Sequence, residues 1–331
     1  MSLHRPFIVA EIGASHKGSL NEALRLVDVA KRVGADGVKF QTYTAKEISA
    51  DVMLKSGPWA GRSYHALYAE GETPWEWHEI LFARARALGL IPFSSPFSEA
   101  AVKRLETLNC PIYKIASPEI VHLKLIAAAA RTHKSLIIST GMASKKEIIR
   151  AHDTAVTNGA KDIVFLHCLS AYPAEAKDFN LCTMQELKDS GLRIGLSDHS
   201  LSPIPAMLAT AMGAEMIEKH LTLSRADGGI DAAFSLEPTE FAAMVKACHM
   251  AADMVGAVPF LRPASEATSR QYRRSIWLVK PVHAGEILTE EHLAILRPDY
   301  GVEPHCWDKL IGKEVNTDLV ANTPMSWTYL K

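Results

Sequence analysis

Two histidines end consecutive apolar runs, in Gly195-Leu-Ser-Asp-His199 and Ile217-Glu-Lys-His220. If those runs are neighbouring parallel strands about 5 Å apart, both imidazoles can reach one divalent cation. Two imidazoles with open positions suit Mn²⁺, Co²⁺, Zn²⁺ or Fe²⁺ better than Ca²⁺. Two ligands are an incomplete set, so water or substrate must supply the rest. The same spacing also fits two unrelated histidines, one of them hydrogen-bonded to Asp198.

A second set joins Lys39 and Lys114 to the hydroxyls of Ser95, Ser117, Ser139 and Ser197. Ammonium and hydroxyl donors complement the oxygens of a phosphate or carboxylate. Glu11 closes an earlier apolar run, where a carboxylate can act as general base or orient a water; an ion pair with one of the lysines is the competing reading. Tyr172 follows another run in Ser170-Ala-Tyr172-Pro173, where loop packing is the plainer role.

The elements that would carry these groups are eight short apolar runs, each followed by a segment of helical character. The runs close on Glu11, Lys39 with Gln41, Ser95, Lys114, Ser139, His167, Ser197 with His199, and Glu218 with His220. Apolar strands with reactive carboxyl ends are how a parallel (β/α)8 barrel, the TIM barrel, presents its active site. Strands are expected at 91–94, 112–115, 136–139, 163–167, 193–196 and 216–220, after two earlier ones ending at Glu11 and Gln41. Helices are expected at 99–108, 123–131, 145–158, 181–190, 203–212 and 238–255, with Gly89, Gly159, Gly191 and Gly213 as C-terminal caps. Residues 42–73 read as a long loop on the catalytic side, with Trp59, Tyr64 and Tyr68, of the kind that forms lids. Pro74 is expected to open the next helix at its first position.

The fold class expected is therefore α/β: a TIM barrel at 1–256, a linker at 257–272, and a small mostly β module at 273–331. Strands are expected there at 275–280 and 293–296, around a turn at His283-Ala-Gly-Glu286. A core that small is marginal alone and should dock on a barrel, its own or a partner's.

The formal charge of −1 argues against a nucleic-acid or anionic-membrane partner. Five cysteines without regular spacing do not read as a disulfide framework and fit a reduced, cytoplasmic protein. The sequence has no signal-peptide pattern and no run approaching the roughly 18 apolar residues of a membrane span. The Gly34/Gly37 and Gly228-Gly229 pairs lack a dinucleotide-binding pattern.

The motifs resemble a known family. Ala10-Glu-Ile-Gly-Ala-Ser-His-Lys-Gly18, Lys39-Phe-Gln41, Phe93-Ser-Ser-Pro-Phe97, Tyr113-Lys-Ile-Ala-Ser117, Ser139-Thr-Gly-Met142, Gly195-Leu-Ser-Asp-His199 and Glu218-Lys-His220 are similar to the sialic acid synthase family. Gly285-Glu286 through Arg297-Pro-Asp-Tyr-Gly301 is similar to its C-terminal antifreeze-like (SAF) domain. Gln41-Thr-Tyr-Thr44, Gly57-Pro-Trp59, Leu67-Tyr68, Thr73-Pro-Trp-Glu-Trp-His78 and Phe234-Ser-Leu236 most resemble the pseudaminic acid synthase branch.

The resemblance implies a transferase that condenses phosphoenolpyruvate with an open-chain acetamido sugar, giving a nonulosonic acid and phosphate with C–O cleavage. It implies a divalent metal, Mn²⁺ first and Mg²⁺ or Co²⁺ next, on His199 and His220. It implies phosphoenolpyruvate binding by Lys39, Ser95, Lys114, Ser117, Ser139 and Ser197. Glu11, Gln41 and Tyr172 match positions near the reacting centre, and Glu119 and Asp231 positions near the sugar. Arg297 matches an arginine that the tail domain inserts into a partner's barrel, which implies a homodimer. Ser15 stands where the family usually has Asn, which weakens a role for His16; Ser170 replaces the Asn of neuraminate synthases and favours the pseudaminate branch; His167 stands where some pseudaminate synthases carry Lys and is not called catalytic. Neuraminate or legionaminate synthesis is the near alternative. A Schiff-base pyruvate aldolase using Lys39, Lys114 or Lys219, and a non-catalytic carbohydrate-binding protein, are the alternatives of other classes.

Overall fold

The computed structural model describes residues 5–57, 59–256, 258 and 260–331. Pro58 of the Gly57-Pro-Trp59 motif, and Ala257 and Pro259 of the expected linker, lie outside the described residues.

Eight parallel strands close into a barrel in sequence order. They are β1 (Phe7–Glu11), β2 (Gly37–Thr42), β3 (Ile91–Pro96), β4 (Ile112–Ile115), β5 (Ser135–Ser139), β6 (Ile163–Cys168), β7 (Arg193–Asp198) and β8 (Met216–His220). β1 pairs with both β2 and β8, which seals the ring. The strands read as near-continuous apolar runs because both faces are covered: Ile8, Val38, Phe93, Ile138, Phe165 and Ile217 are buried. Burying a side chain of Val, Leu, Ile or Phe size contributes roughly 1.5–3 kcal/mol. Polar side chains accumulate only where the strands end.

The helices follow from local signals. Ser144 caps the helix Lys145–Thr157 in a reciprocal box with Glu147. That helix ends before Gly159, whose φ of +100° an L side chain rarely adopts; a Cβ there would also strike the His133 ring at 2.6 Å. Gly89, Gly191 and Gly213 stop their helices with positive φ in the same way.

Two expectations need correction here. The helix after the insertion begins at Trp77, not Pro74. The Pro74 carbonyl instead accepts from Trp77 N at 3.0 Å, forming a turn ahead of the helix. The insertion is not one long loop. It holds the short helix Ala45–Ile48, the helix Tyr64–Gly71 capped by Ser63, and a bridge between Met53 and Ser63.

The chain divides into two compact units, Met1–Ala257 and Val258–Lys331. The second holds a three-stranded antiparallel sheet of β9 (Ser275–Leu278), β10 (Leu293–Leu296) and β11 (Thr323–Pro324), in the order β10-β9-β11. Ile276, Leu278, Leu288, Leu310 and Val315 form its core. β9 stops two residues short of the expected end. β11 and the helix Trp307–Leu310 carried no clear periodicity because each is so short. Among the described residues no helix is long and apolar enough to cross a membrane.

Candidate active site

Strand register brings the polar ends together. Glu11 on β1 stands level with Lys39 on β2 and with His220 on β8. Ser197 on β7 stands level with Glu218 on β8 and with Cys168 on β6. Side chains alternate along a strand, so Glu218 and His220 share a face and Lys219 takes the other. Lys219 is buried against Asp198 Oδ2 at 2.6 Å and the Ser200 hydroxyl at 3.2 Å. Asp198 is thereby committed to Lys219 and to Ser200 N, and the expected alternative of an Asp198–His199 hydrogen bond is not realised.

Two lysines and two carboxylates form a buried cluster. Lys39 Nζ lies 2.6 Å from Glu11 Oε2 and 3.7 Å from Glu218 Oε1, and donates to Ser95 Oγ at 3.3 Å. Lys114 Nζ donates to Glu218 Oε1 at 3.0 Å. Burial disfavours the Lys39 ammonium, but Glu11 and Glu218 outweigh it and hold its pKa above the ordinary value. For Lys114, burial wins over Glu218 and the pKa falls. Burial would raise the Glu218 carboxyl, yet Lys114 and Lys39 bring it well below the usual range. Glu11 goes the other way: burial, helped by Glu218, outweighs Lys39 and lifts it. Gln41 Nε2 donates to Glu11 Oε1 at 2.8 Å and fixes its orientation. Glu11 is thus a carboxylate biased toward accepting a proton, which is what a general base requires.

The serines divide by what their hydroxyls already do. Ser95 Oγ accepts from Lys39, and Ser117 Oγ accepts from Gly141 N at 3.1 Å, so both keep a proton to donate. Ser139 Oγ is buried without a partner. Ser197 donates to Glu218 Oε1 at 3.1 Å, so its proton is already spent. Two buried lysines and three hydroxyls with a proton to donate are gathered at the strand C-termini, and these are groups that complement an anion.

His199 follows β7 and His220 ends β8, with ring centroids 5.4 Å apart. His199 Nδ1 donates to Leu169 O at 3.0 Å. A carbonyl only accepts, so the neutral ring keeps its lone pair on Nε2. Metal-binding histidines are commonly oriented by such a bond. His220 is buried with Nδ1 unpartnered, 3.6 Å from Asp231 Oδ2. Burial, and then the neighbouring His199, hold the His220 imidazole far below its ordinary pKa, so it presents one ring-nitrogen lone pair; at His199 burial works downward too, but the Cys168 thiol outweighs it and raises the pKa. Among the described residues no group of three or more His, Cys, Asp and Glu is placed to hold a metal. Two ring nitrogens alone would leave the remaining positions of a divalent cation to ligand and water.

Tyr172 and Phe234 wall this corner. The Tyr172 ring lies 4.5 Å from His199 and 4.9 Å from Phe234, which lies 5.0 Å from His220. Loop packing alone does not describe Tyr172. Asp231 accepts from Ala14 N at 2.8 Å, and burial lifts its carboxyl to about 6. Gly13, at φ +46°, allows this approach: a Cβ there would lie 2.3 Å from Asp231 Oδ2. Glu119, in the turn after β4, has an unpartnered Oε2, and burial lifts it to about 7.

Arg297 follows β10 in the second unit and is exposed, with no ion pair among the described residues. His16 accepts from Gly18 N at 3.1 Å and so donates through Nε2 to Thr73 Oγ1 at 3.0 Å. His167 donates to Phe179 O at 2.7 Å. Both imidazoles are occupied structurally. The sequence reading named Glu218 at a strand end and Phe234 in a branch motif but gave neither a role in the site. The two-residue spacing to His220 was the available signal for Glu218, and nothing in the spacing of Phe234 marks it.

The NeuB family pattern matches residues 26–259, and the SAF domain pattern matches residues 273–331. The chain belongs to the NeuB family. It is 40% identical to the pseudaminic acid synthase of Helicobacter pylori, covering 98% of this chain and 97% of that one. It is 35% identical to the N,N'-diacetyllegionaminic acid synthase of Legionella pneumophila, covering 98% and 94%. Among solved structures, the N-acetylneuraminic acid synthetase of Leptospira borgpetersenii, in complex with citrate, superposes with a TM-score of 0.73 at 34% identity, covering 81% of this chain and 90% of that one. Membership in the NeuB family bears out the expected barrel and SAF domain.

Proposed function

We propose that the chain condenses phosphoenolpyruvate with open-chain 2,4-diacetamido-2,4,6-trideoxy-L-altrose to give pseudaminic acid and phosphate. The observation that carries this reading is the placing of the Lys39–Lys114 anion receptor beside the His199–His220 pair at one barrel mouth. Full-length similarity to a pseudaminic acid synthase supports the choice of sugar.

Lys39, Lys114 and the free hydroxyls of Ser95, Ser117 and Ser139 would bind the phosphate and carboxylate of phosphoenolpyruvate. Its methylene carbon forms a bond to the sugar's aldehyde carbon, and the aldehyde oxygen takes up a proton. Water adds to the oxocarbenium centre that this leaves at C2, losing a proton to Glu11. The C2–O bond to phosphate then breaks with its electron pair leaving on phosphate, while the new C2 hydroxyl gives up its proton, leaving a 2-keto acid. Gln41 and Lys39 hold Glu11 in place for that water. A divalent metal, Mn²⁺ foremost, would be held by His199 and His220 and would supply Lewis-acid polarisation of the aldehyde. Tyr172, Asp231 and Glu119 would contact the sugar.

Arg297 would reach the sugar from a partner subunit in a homodimer. The raised pKa of Lys39 and the pairing of Lys219 with Asp198 argue against these two as Schiff-base amines; Lys114, whose pKa burial lowers, is the amine left to that reading, and borohydride with pyruvate would trap it. The test is phosphate release with phosphoenolpyruvate, Mn²⁺ and a sugar panel. Release with the altrose derivative, together with a nine-carbon keto acid, supports the reading. Release only with N-acetylmannosamine or the legionaminate precursor assigns a sister reaction.

A further inference from the structure

A cavity of about 350 Å³ opens beside the histidine corner, lined chiefly by Trp59, Arg62, Glu70, Tyr172, Ile230 and Phe234. That volume suits a monosaccharide-sized ligand. Tyr172 and Phe234 are shared with the histidine corner, so the cavity runs from these rings to Trp59 and the Arg62–Glu70 ion pair. We infer that Arg62 and Glu70 read the second acetamido group of the sugar and so set substrate choice; the inference rests on the function proposed above.

The chemistry is that of an amide. An acetamido group offers one carbonyl acceptor, one N–H donor and a methyl. The Arg62 guanidinium carries five donors, and its contact with Glu70 uses one nitrogen; the Glu70 carboxylate only accepts. Donor and acceptor stand side by side, beside the apolar faces of Trp59 and Ile230 that suit the methyl. The Tyr172 ring lies 6.1 Å from that of Trp59, so the apolar wall runs on from the histidine corner.

The insertion is built to present this pair. Leu54 N donates to Arg62 O at 2.9 Å, and Gly61 N to Leu54 O at 2.9 Å, closing a hairpin. Ser63 then caps the helix Tyr64–Gly71 that carries Glu70. A sugar with a hydroxyl at carbon 4 offers no amide to the pair and no methyl to Trp59.

The test is steady-state phosphate release at saturating phosphoenolpyruvate and Mn²⁺. Two sugars are compared, the 2,4-diacetamido substrate and its counterpart with a 4-hydroxyl. Arg62→Ala should raise KM for the first about tenfold, the equivalent of one charge-assisted hydrogen bond, while KM for the second stays within about twofold. Glu70→Gln, which keeps an acceptor, should lose less than Arg62→Ala. The two side chains are 43% and 53% exposed, so thermal unfolding should be unchanged. Equal KM changes for both sugars, or none, would overturn the inference. A wild type that releases no phosphate with either sugar contradicts the proposed function. Calorimetry with the C1-reduced diacetamido sugar then decides the cavity: binding lost in Arg62→Ala supports it, and no binding to wild type overturns it.

Discussion

Glu218 Oε1 accepts a hydrogen bond from Lys114 Nζ at 3.0 Å, with the two side chains 5% and 3% exposed. The same oxygen accepts a hydrogen bond from the Ser197 hydroxyl and lies 3.7 Å from Lys39. One carboxylate therefore holds both ammoniums of the anion receptor, and its other oxygen has no partner.

Glu218→Gln should leave Lys114 buried without its counter-charge. Breaking such a pair costs about 3–5 kcal/mol. Chemical denaturation should show that loss without phosphoenolpyruvate and partial recovery with it, because the ligand's oxygens replace the missing charge. An unchanged midpoint would mean that the cluster relaxes into solvent.

His78 gives a pH dependence of known sign. It donates to Pro74 O and accepts from Thr42 Oγ1 at 2.7 Å, and burial holds it down to about 4. The unfolded chain binds this proton near 6.5 and the folded chain only near 4. Between those values the unfolded state holds more protons, so stability is full above pH 6.5 and falls as pH drops toward 4, by about 3 kcal/mol from this group. Urea midpoints at pH 7 and pH 4.5 should differ less in His78→Gln than in wild type. Equal differences would assign the acid sensitivity elsewhere.

The barrel was legible because its signals are local. Apolar runs of strand length, helical periodicity and capping glycines placed all eight strands and the helix Pro238–Val255. The site was legible where strand ends carry reactive groups, as at Lys39, Lys114 and His220. The insertion resisted reading because its helices Ala45–Ile48 and Tyr64–Gly71 are short and its fold depends on the Met53–Ser63 bridge. Glu218 was named at a strand end but given no role, because a buried glutamate declares its role only when both lysines are seen to converge on it.

Arg297 tests the proposed homodimer. Being exposed, it should tolerate Arg297→Ala without loss of fold, while the sugar's KM rises strongly. Arg297→Ala and His199→Ala chains, each inactive at low sugar, should regain activity when mixed and allowed to exchange subunits. In the mixed dimer one barrel then has both histidines and its partner's arginine. No recovery would place Arg297 in its own barrel or outside the reaction.

His199→Ala should abolish high-affinity Mn²⁺ binding by calorimetry and condensation together. Wild-type affinity in the variant would refute the ligand assignment.

The most direct test uses phosphoenolpyruvate labelled with ¹⁸O in its bridging oxygen, with Mn²⁺ and 2,4-diacetamido-2,4,6-trideoxy-L-altrose. Mass spectrometry should find the label in phosphate and an equal amount of pseudaminic acid without it. Unlabelled phosphate with the label in the keto acid, or phosphate with no nine-carbon product, would contradict the account.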